Sequence, residues 1–280
     1  MKKNKPTLIR GILLICLVCT TPLFAQTKVL SYNIKYDAKS DKINNWELRK
    51  EEMVRLLTHY DPAFIGLQEA LHNQLTYLNE ALPTYNYIGV GRDDGKQKGE
   101  YAAILYDSTL YKVLQSNTFW LSKTPEKISK GWDAALERIC TYGLFEHRQT
   151  KERIWVFNTH FDHVGVLARE NSAQLIIDKI KTLATDTSPV ILMGDFNLTP
   201  ETKGISIIRD YLEDGKRSTL KPFYGPRGTF NGFDPSLNLD RRIDYIFVKN
   251  RKVKAYIHID DRMENNRHIS DHLPVYAIIE

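Results

Sequence analysis

Apolar residues recur in short runs from residue 26 onward, and each run ends in polar or turn-forming residues. Short runs rich in Val, Ile, Tyr and Phe are typical of β-strands. The pattern predicts nine strands, at Lys28–Ile34, Ala63–Gln68, Tyr87–Val90, Ala102–Tyr106, Ile154–His160, Val190–Gly194, Tyr245–Val248, Tyr256–Ile259 and Val275–Ile279.

Other segments have helical spacing. Leu71, Leu75, Leu78 and Leu82 follow one another at steps of four, three and four, which is the apolar stripe of a helix packed on a sheet. Asn44 or Asn45 is positioned to cap the start of an earlier helix, Trp46–Tyr60. The predicted helices are Trp46–Tyr60, Leu71–Leu82, Leu167–Leu183 and one that begins at Thr199-Pro200-Glu201, with threonine as the cap and proline in the first turn.

The order of these elements predicts the fold class. Helices lie early and mid-chain, whereas the last third is mostly strands, so the chain lacks the strict alternation of a doubly wound sheet. Two packed sheets with helices outside, an α/β (α+β) arrangement, fit better. Residues 116–138 have weak periodicity and are predicted to form an elaborated loop. No linker or repeat divides residues 26–280, which predicts one domain.

The first 25 residues have the order of a secretory signal peptide: basic residues, an apolar stretch from Ile12 to Val18, then small or turn-forming residues up to Ala25. We therefore predict cleavage after Ala25 and a periplasmic or secreted protein. A permanent membrane anchor is the alternative, but the apolar stretch is short for spanning. Lipoprotein processing would need a small residue where Ile15 or Val18 stands.

Removal of this segment changes the charge of the chain. Of 39 basic residues, four lie in residues 1–25, which contain none of the 34 acidic ones, so the net charge falls from +5 to about +1. A nearly neutral chain argues against strong non-specific binding of nucleic acid. A near-zero net charge is still compatible with a local basic groove. Cys140 is then the only cysteine, so no intramolecular disulfide forms.

Polar side chains at the strand ends indicate the chemistry. Each has an ordinary structural explanation when taken alone, such as a cap, a turn or a buried histidine. Together they supply oxygen ligands and two imidazoles. The clusters are Ser31-Tyr32-Asn33, Gln68-Glu69, Asn158-Thr159-His160, Gly194-Asp195-Phe196-Asn197 and Ser270-Asp271-His272.

Such a set suits metal-assisted attack of water on phosphorus. Mg²⁺ prefers oxygen ligands, so Asn33 and Glu69 with Asp271 nearby are candidate metal ligands, whereas Zn²⁺ would need more His or Cys. Mn²⁺ is an alternative ion. Asp195 is a candidate base for a water held with Asn197.

Two histidines complete the predicted site. His160 and His272 are candidates to stabilise the negative charge of the transition state. They need carboxylates behind them that fix the tautomer and favour the protonated form, and Asp244 and Glu100 are available at strand ends.

The clusters, in this order, resemble the endonuclease/exonuclease/phosphatase superfamily of metal-dependent phosphohydrolases. Gly194-Asp195-Phe196-Asn197 and Ser270-Asp271-His272 are the most specific matches, and the resemblance covers essentially residues 31–275. It implies a four-layered α/β sandwich of two packed mixed β-sheets flanked by helices. It also implies that Glu100 lies behind His160 and Asp244 behind His272.

The resemblance further implies substrate contacts. Arg138 follows Gly131-Trp132-Asp133-Ala134-Ala135 and is predicted to touch a phosphate, with a surface salt bridge as the alternative. Asn158 is assigned to substrate binding with it. From residue type alone, four aromatic residues are candidates either to line a substrate cleft by stacking or to pack the loop onto the domain: Trp120, Trp132, Phe230 and Phe233.

The predicted activity is hydrolysis of P–O bonds in a phosphate ester, first as a phosphodiesterase or nuclease acting on nucleic acid or nucleotides. A phosphomonoesterase acting on sugar or inositol phosphates is the alternative, and an inactive binding module on the same scaffold is a third. We predict a monomer with no membrane span after the leader is removed. Fold and motifs fix the reaction type and leave the substrate open.

Overall fold

The computed structural model describes residues 1–2 and 26–280, so residues 3–25 of the predicted signal peptide lie outside the described residues. Strands and helices alternate irregularly along the described part. The strands are β1 (Thr27–Asn33), β2 (Phe64–Ala70), β3 (Tyr85–Ile88), β4 (Tyr101–Asp107), β5 (Tyr111–Trp120), β6 (Ile139–His147), β7 (Arg153–His160), β8 (Val190–Asp195), β9 (Glu213–Asp214), β10 (Asp244–Lys249), β11 (Val253–His258) and β12 (Val275–Ile279). The α-helices are α1 (Lys50–Tyr60), α2 (His72–Ala81), α3 (Val166–Leu183), α4 (Lys203–Arg209) and α5 (Gly215–Ser218), and 3₁₀ turns cover Lys39–Asn44 and Trp46–Leu48.

The strands form two mixed sheets of six strands each. The first has the order β11-β12-β1-β2-β4-β3, and the second has the order β5-β6-β7-β8-β10-β9. Each sheet contains a parallel pair near its centre, β1 with β2 in the first and β7 with β8 in the second. The pairs β1–β12 and β8–β10, which flank these, are antiparallel.

Alternation along the strands separates the layers, because successive side chains of a strand point to opposite faces. In β1, Val29 packs between the two sheets with residues such as Ile191 of β8. Its neighbour Leu30 packs on the outer face with Met53 of α1 and Leu75 of α2. The second sheet is covered in the same way by α3 and α4. The result is the predicted four-layered sandwich, with helices on both outer faces.

The predicted loop at residues 116–138 is wrong at its start. Residues 116–120 belong to β5, which pairs with β6 along its length. Because β5 is an edge strand with many exposed positions, it lacks the apolar alternation that signals a half-buried strand. Strand β6 was missed as well, since its buried residues include the polar Thr141 and a glycine, Gly143.

Two other local expectations differ from the structure. Helix α4 begins at Lys203 and not at Thr199-Pro200-Glu201, which forms a turn before it. Asn45 is confirmed as a cap, because its side chain accepts a hydrogen bond from Leu48 N at the start of a 3₁₀ turn. In the described residues, no helix has the length and apolar character that a membrane crossing requires.

Candidate active site

The candidate site lies at one edge of both sheets, where the two parallel strand pairs end. Neighbouring parallel strands finish at the same edge, so the residues that end them come together. Asn33 ends β1 and Asp195 ends β8, in opposite sheets. Asn33 Nδ2 donates a hydrogen bond to Asp195 Oδ2 at 3.0 Å. The site is therefore built from both sheets at once, which explains why its residues are spread along the whole chain.

His272 and Asp244 form the most enclosed part of the site. His272 Nδ1 lies 2.9 Å from Asp244 Oδ2, and its Nε2 lies 3.7 Å from Asp195 Oδ2. Burial lowers the pKa of His272, but the charges of Asp244 and Asp195 outweigh it and raise that pKa to about 10. His272 is thus an imidazolium held between two carboxylates, and the predicted pairing with Asp244 is present.

Asp195 has the properties of a base that works near neutral pH. Burial and the charge of Asp244 raise its pKa to about 7, against the opposing charge of His272. Asn197 N donates to Asp195 Oδ1 at 2.9 Å and fixes the carboxylate. The backbone of Asn197 has φ +49°, a left-handed conformation that asparagine tolerates better than most residues. A pKa near the working pH is what general base catalysis favours.

His160 differs from the expectation of a protonated imidazole. Burial lowers its pKa well below the usual value, and the positive charge of Arg138 lowers it further. Arg138 Nη1 lies 3.2 Å from His160 Nδ1, where a neutral ring accepts a hydrogen bond. Because Arg138 can only donate, Nδ1 is the acceptor and the ring proton lies on Nε2, which is 3.3 Å from Asn197 Nδ2 and 3.5 Å from Asp195 Oδ2.

Glu100 is near His160, as predicted, but its main partner is another residue. Its Oε2 is 3.7 Å from His160 Nδ1, beyond hydrogen-bond distance. Arg92 donates two hydrogen bonds to the Glu100 carboxylate, both at 2.8 Å. The carboxylate is therefore neutralised by Arg92, which explains why it does not hold His160 in the protonated form. Arg92 was missed in the sequence because it lies in a loop segment without a motif.

Glu69 and Asp271 line the same cleft beside Asn33. Burial raises the pKa of Asp271, and the negative charge of Glu69 raises it further. Burial also favours a higher pKa for Glu69, but Lys35 and His272 outweigh it and the net pKa is lowered. Asn33 Nδ2 donates a hydrogen bond to Glu69 Oε1 at 3.1 Å, and Asn33 Oδ1 accepts one from Lys35 N. The two carboxylates repel each other and supply oxygen ligands, so they fit a hard divalent cation, and Asn33 would join them through its amide oxygen.

A second group of ligand-type atoms needs a different interpretation. One atom each of Asp195, Asp244 and His272 lies within 4.8 Å of the other two, which is compatible with a metal ion. The short His272–Asp244 hydrogen bond already uses the Nδ1 proton and one carboxylate oxygen. We therefore interpret this group as a hydrogen-bonded histidine–aspartate pair that faces a second carboxylate, and not as the metal site.

The cleft over these residues has a volume of about 560 Å³. Three cationic side chains line it: Lys35, Arg138 and Arg241. Arg138 is only 5% exposed, and its Nε lies 3.4 Å from Asp162 Oδ1, so its guanidinium is fixed in place. Lys35 and Arg241 were not predicted, although Lys35 directly follows the predicted strand Lys28–Ile34 and Arg241 lies three residues before Asp244.

Asn158 is not part of the cleft wall. It is fully buried, and its Nδ2 donates to the main-chain oxygens of Leu67 and Ala103 at 2.9 and 2.7 Å. Its Oδ1 accepts from Gln68 Nε2 at 2.7 Å. Asn158 of β7 thus links the second sheet to β2 and β4 of the first. This placement does not support the predicted contact with substrate.

The four aromatic candidates have separate roles. Phe230 lines the cleft, and its ring meets that of His272 edge-on with a centroid distance of 5.1 Å. Trp120 is buried, and its Nε1 donates to the main-chain oxygen of Arg92. Phe233 contacts the Arg49 guanidinium. Neither Trp132 nor Phe233 is among the residues that line the cleft.

Comparison with known proteins agrees with this geometry. A model of the Endonuclease/Exonuclease/phosphatase family matches residues 30–272. The mannosyl-6-phosphatase of Bacteroides thetaiotaomicron is 38% identical with a TM-score of 0.87, and the match covers 91% of this chain and 99% of that one. An endonuclease/exonuclease/phosphatase from Bacteroides vulgatus is also 38% identical with a TM-score of 0.87, over 91% of this chain and 98% of that one.

A more distant relative extends the same result. An uncharacterised protein of Acanthamoeba polyphaga mimivirus is 27% identical over 276 residues, which is 90% of this chain and all of that protein. The matched residues include strands of both sheets and every predicted polar cluster from Asn33 to His272. The chain belongs to the endonuclease/exonuclease/phosphatase family.

Proposed function

We propose that the protein is a divalent-metal-dependent phosphohydrolase whose preferred substrates are phosphate monoesters of sugars. The observation that carries this proposal is the placement of Lys35, Arg138 and Arg241 around a cleft that also contains the imidazolium of His272. A phosphate monoester carries close to two negative charges near neutral pH, whereas a diester carries one. The cleft also contains the carboxylates of Glu69, Glu100, Asp195 and Asp271, so these cationic groups favour the monoester with a divalent cation bound at the carboxylates. The 38% identity to a mannosyl-6-phosphatase supports the sugar class.

In this proposal, Asp195 accepts a proton from the attacking water, which Asn197 helps to orient. His272, protonated and fixed by Asp244, donates hydrogen bonds to the phosphoryl oxygens as negative charge develops on them. His160 is neutral and offers its Nε2 proton to the same group or to Asp195. Arg138 orients the His160 ring and adds positive charge to the cleft.

Asn33, Glu69 and Asp271 would hold the cation, preferably Mg²⁺ with Mn²⁺ as a substitute. When bound, the ion supplies Lewis-acid activation of the phosphoryl group and neutralises its charge. Lys35 Nζ, 3.6 Å from Glu69 Oε2, keeps that carboxylate ionised and ready to bind a cation.

A phosphodiesterase or nuclease is the second candidate, and the aromatic rim of the cleft favours it. Phe230 and Tyr36 both line the cleft, and Tyr36 is 36% exposed. Exposed aromatic rings of this kind stack on nucleobases. The nearly neutral charge predicted for residues 26–280 counts against a long polyanionic substrate.

Steady-state kinetics with Mg²⁺ tests the choice. Mannose 6-phosphate, p-nitrophenyl phosphate and bis-p-nitrophenyl phosphate are compared as substrates, with the Asp195→Asn variant as the control for contaminating phosphatase. We expect kcat/KM for mannose 6-phosphate to exceed that for the diester by about 10²-fold or more. A preference for the diester would replace this proposal by the nuclease one, and no turnover would support an inactive scaffold.

We also propose that the chain is exported after cleavage behind Ala25 and acts as a monomer. The basic and apolar order of residues 1–25 supports export. Intact-mass measurement of protein from fractionated cells tests cleavage and location together. A mass that includes residues 1–25 would contradict cleavage, and light scattering of the same sample measures the oligomeric state.

A further inference from the structure

A second cavity, of about 650 Å³, adjoins the catalytic cleft. Neighbouring residues line the two cavities. Arg241 and Asn197 line the catalytic cleft, whereas Arg242 and Thr199 line the second cavity. Two residues of chain span at most about 7 Å. The two cavities are therefore lined by neighbouring residues of the same two segments.

The second cavity is rich in basic side chains. We call it the basic cavity, because its lining includes Arg209, Lys216, Arg217, Arg227 and Arg242. Its acidic lining residues are Glu201 and Asp240. Asp214, behind the wall, pairs with Arg242 through both guanidinium Nη atoms. Positive charge remains in excess after these three carboxylates are counted.

The remaining positive charges have no carboxylate partner in the part of the chain that the structure describes. None of the ion pairs within 4.0 Å there includes Arg209, Arg217 or Arg227. Lys216 Nζ donates only to the main-chain oxygen of Arg227 and lies over the Phe223 ring. Positive groups crowd together here, since burial and the charges of Arg242 and Arg227 lower the pKa of Lys216 to about 8.

A buried donor in the wall also lacks a partner. The Arg242 side chain is 6% exposed, and its Nε is a buried atom with no hydrogen-bond partner among residues 26–280. Buried guanidinium N–H groups are normally satisfied, and phosphate is a ligand that arginine clusters recognise well. An anion is the ligand chemistry that this combination favours.

We propose that the basic cavity is an anion-binding site of the phosphate class, and that it holds a second anionic group of the substrate whose first phosphate lies in the catalytic cleft. The second part rests on the proposed function. Sugar bisphosphates, or sugar phosphates linked to another acidic group, are the substrate class that would occupy both positions.

Calorimetric titration with inorganic phosphate in the presence of EDTA tests the site without turnover. The test variant is Arg217→Gln/Arg227→Gln, because both side chains are exposed and unpaired with carboxylates. The matched control is Lys123→Gln/Lys127→Gln, which removes the same charge from exposed positions outside the cavity. We expect phosphate affinity to fall about fivefold or more in the test variant and to match wild type in the control. Equal affinity in both variants would overturn the proposal.

The source of the anion is tested with mannose 1,6-bisphosphate and mannose 6-phosphate. If the cavity binds a second group of the substrate, the ratio of KM for the bisphosphate to KM for the monophosphate rises about fivefold in the test variant and stays constant in the control. An unchanged ratio with weakened phosphate binding would support the site for free phosphate and contradict the substrate assignment. Failure of the enzyme to hydrolyse either sugar would contradict the proposed function but would leave the calorimetric result standing.

Discussion

His272 Nδ1 and Asp244 Oδ2 are 2.9 Å apart, and both side chains are almost fully buried. Asp244 begins β10 directly opposite Asp195, the last residue of β8. This register places one carboxylate behind the imidazole and another in front of it. The antiparallel pairing of two strands thus fixes the orientation and the charge of a histidine that is 28 residues away in the chain.

The first prediction follows from this pair. Asp244→Asn keeps the shape of the side chain but removes the charge that orients and protonates His272. We expect kcat to fall about 10²-fold or more, with a much smaller change in KM, because the imidazolium stabilises charge that develops in the transition state. Asp186→Asn, at an exposed turn, is the matched control and should keep wild-type kinetics. A similar loss in both variants, or an unchanged kcat in Asp244→Asn, would contradict this role.

The second prediction separates the two groups of candidate metal ligands. EDTA should abolish turnover, and Glu69→Gln should raise the Mg²⁺ concentration for half-maximal activity about tenfold or more, since it removes one charged oxygen ligand. Asp244→Asn should lower kcat without a comparable shift in that Mg²⁺ concentration. Isothermal titration with Mn²⁺ measures metal affinity without catalysis, and Glu69→Gln should weaken it more than Asp244→Asn. A larger loss of metal affinity in Asp244→Asn than in Glu69→Gln would place the ion at the other group.

The architecture could be predicted because each layer leaves a periodic pattern. Residues such as Leu75 and Leu78 repeat at helical spacing, and the strand-end motifs occur in the order of the family. Edge strand β5 was missed, because exposure on both sides removes the alternation on which strand prediction depends. Strand β6 was missed because two of its interior positions are Thr141 and Gly143, which do not form an apolar run.

Residue types of the site could be predicted, but their electrostatic partners could not. Glu100 was expected to serve His160, and the structure shows it neutralised by Arg92. Arg92 and Glu100 both lie in the loop between β3 and β4, and no spacing rule in the sequence predicts that their side chains pair. His160 is neutral because burial and the charge of Arg138, its nearest charged neighbour, lower its pKa. Such assignments depend on distances between side chains, which the sequence does not contain.

The third prediction concerns pH and stability at Asp162. Its Oδ2 accepts hydrogen bonds from Val164 N and Gly165 N at 3.0 and 2.7 Å. Burial raises the pKa of Asp162, but these and other backbone donors, with Arg138, outweigh it and lower the pKa to about 2. Because the folded pKa is depressed, the stabilisation is complete above about pH 4, the ordinary range of an aspartate, and is lost as pH falls toward 2.

Urea unfolding of Asp162→Asn and wild type at several pH values measures this effect. We expect the variant to lose about 2 kcal/mol of unfolding free energy near pH 7, and the difference should shrink as pH approaches 3. Asp186→Asn controls for the general loss of a negative charge. A difference between Asp162→Asn and wild type that is the same at pH 7 and pH 3.5 would contradict the depressed pKa.

The final prediction concerns Asn158, whose place in the structure differs from its sequence interpretation. Asn158→Leu would leave Gln68 Nε2 and the main-chain oxygens of Leu67 and Ala103 without this partner in a buried layer. There is little space to rearrange, because a Cβ at Gly66 would already lie 2.8 Å from Asn158 Oδ1. We expect a loss of about 2 kcal/mol or more in unfolding free energy, since unsatisfied buried polar groups are costly. Asn86→Leu, at an exposed position of β3, is the matched control.

The same variant tests the predicted substrate contact. Because Asn158 does not line the cleft, the KM of the folded Asn158→Leu enzyme should stay close to the wild-type KM. A raised KM with unchanged stability would instead restore Asn158 as a substrate contact.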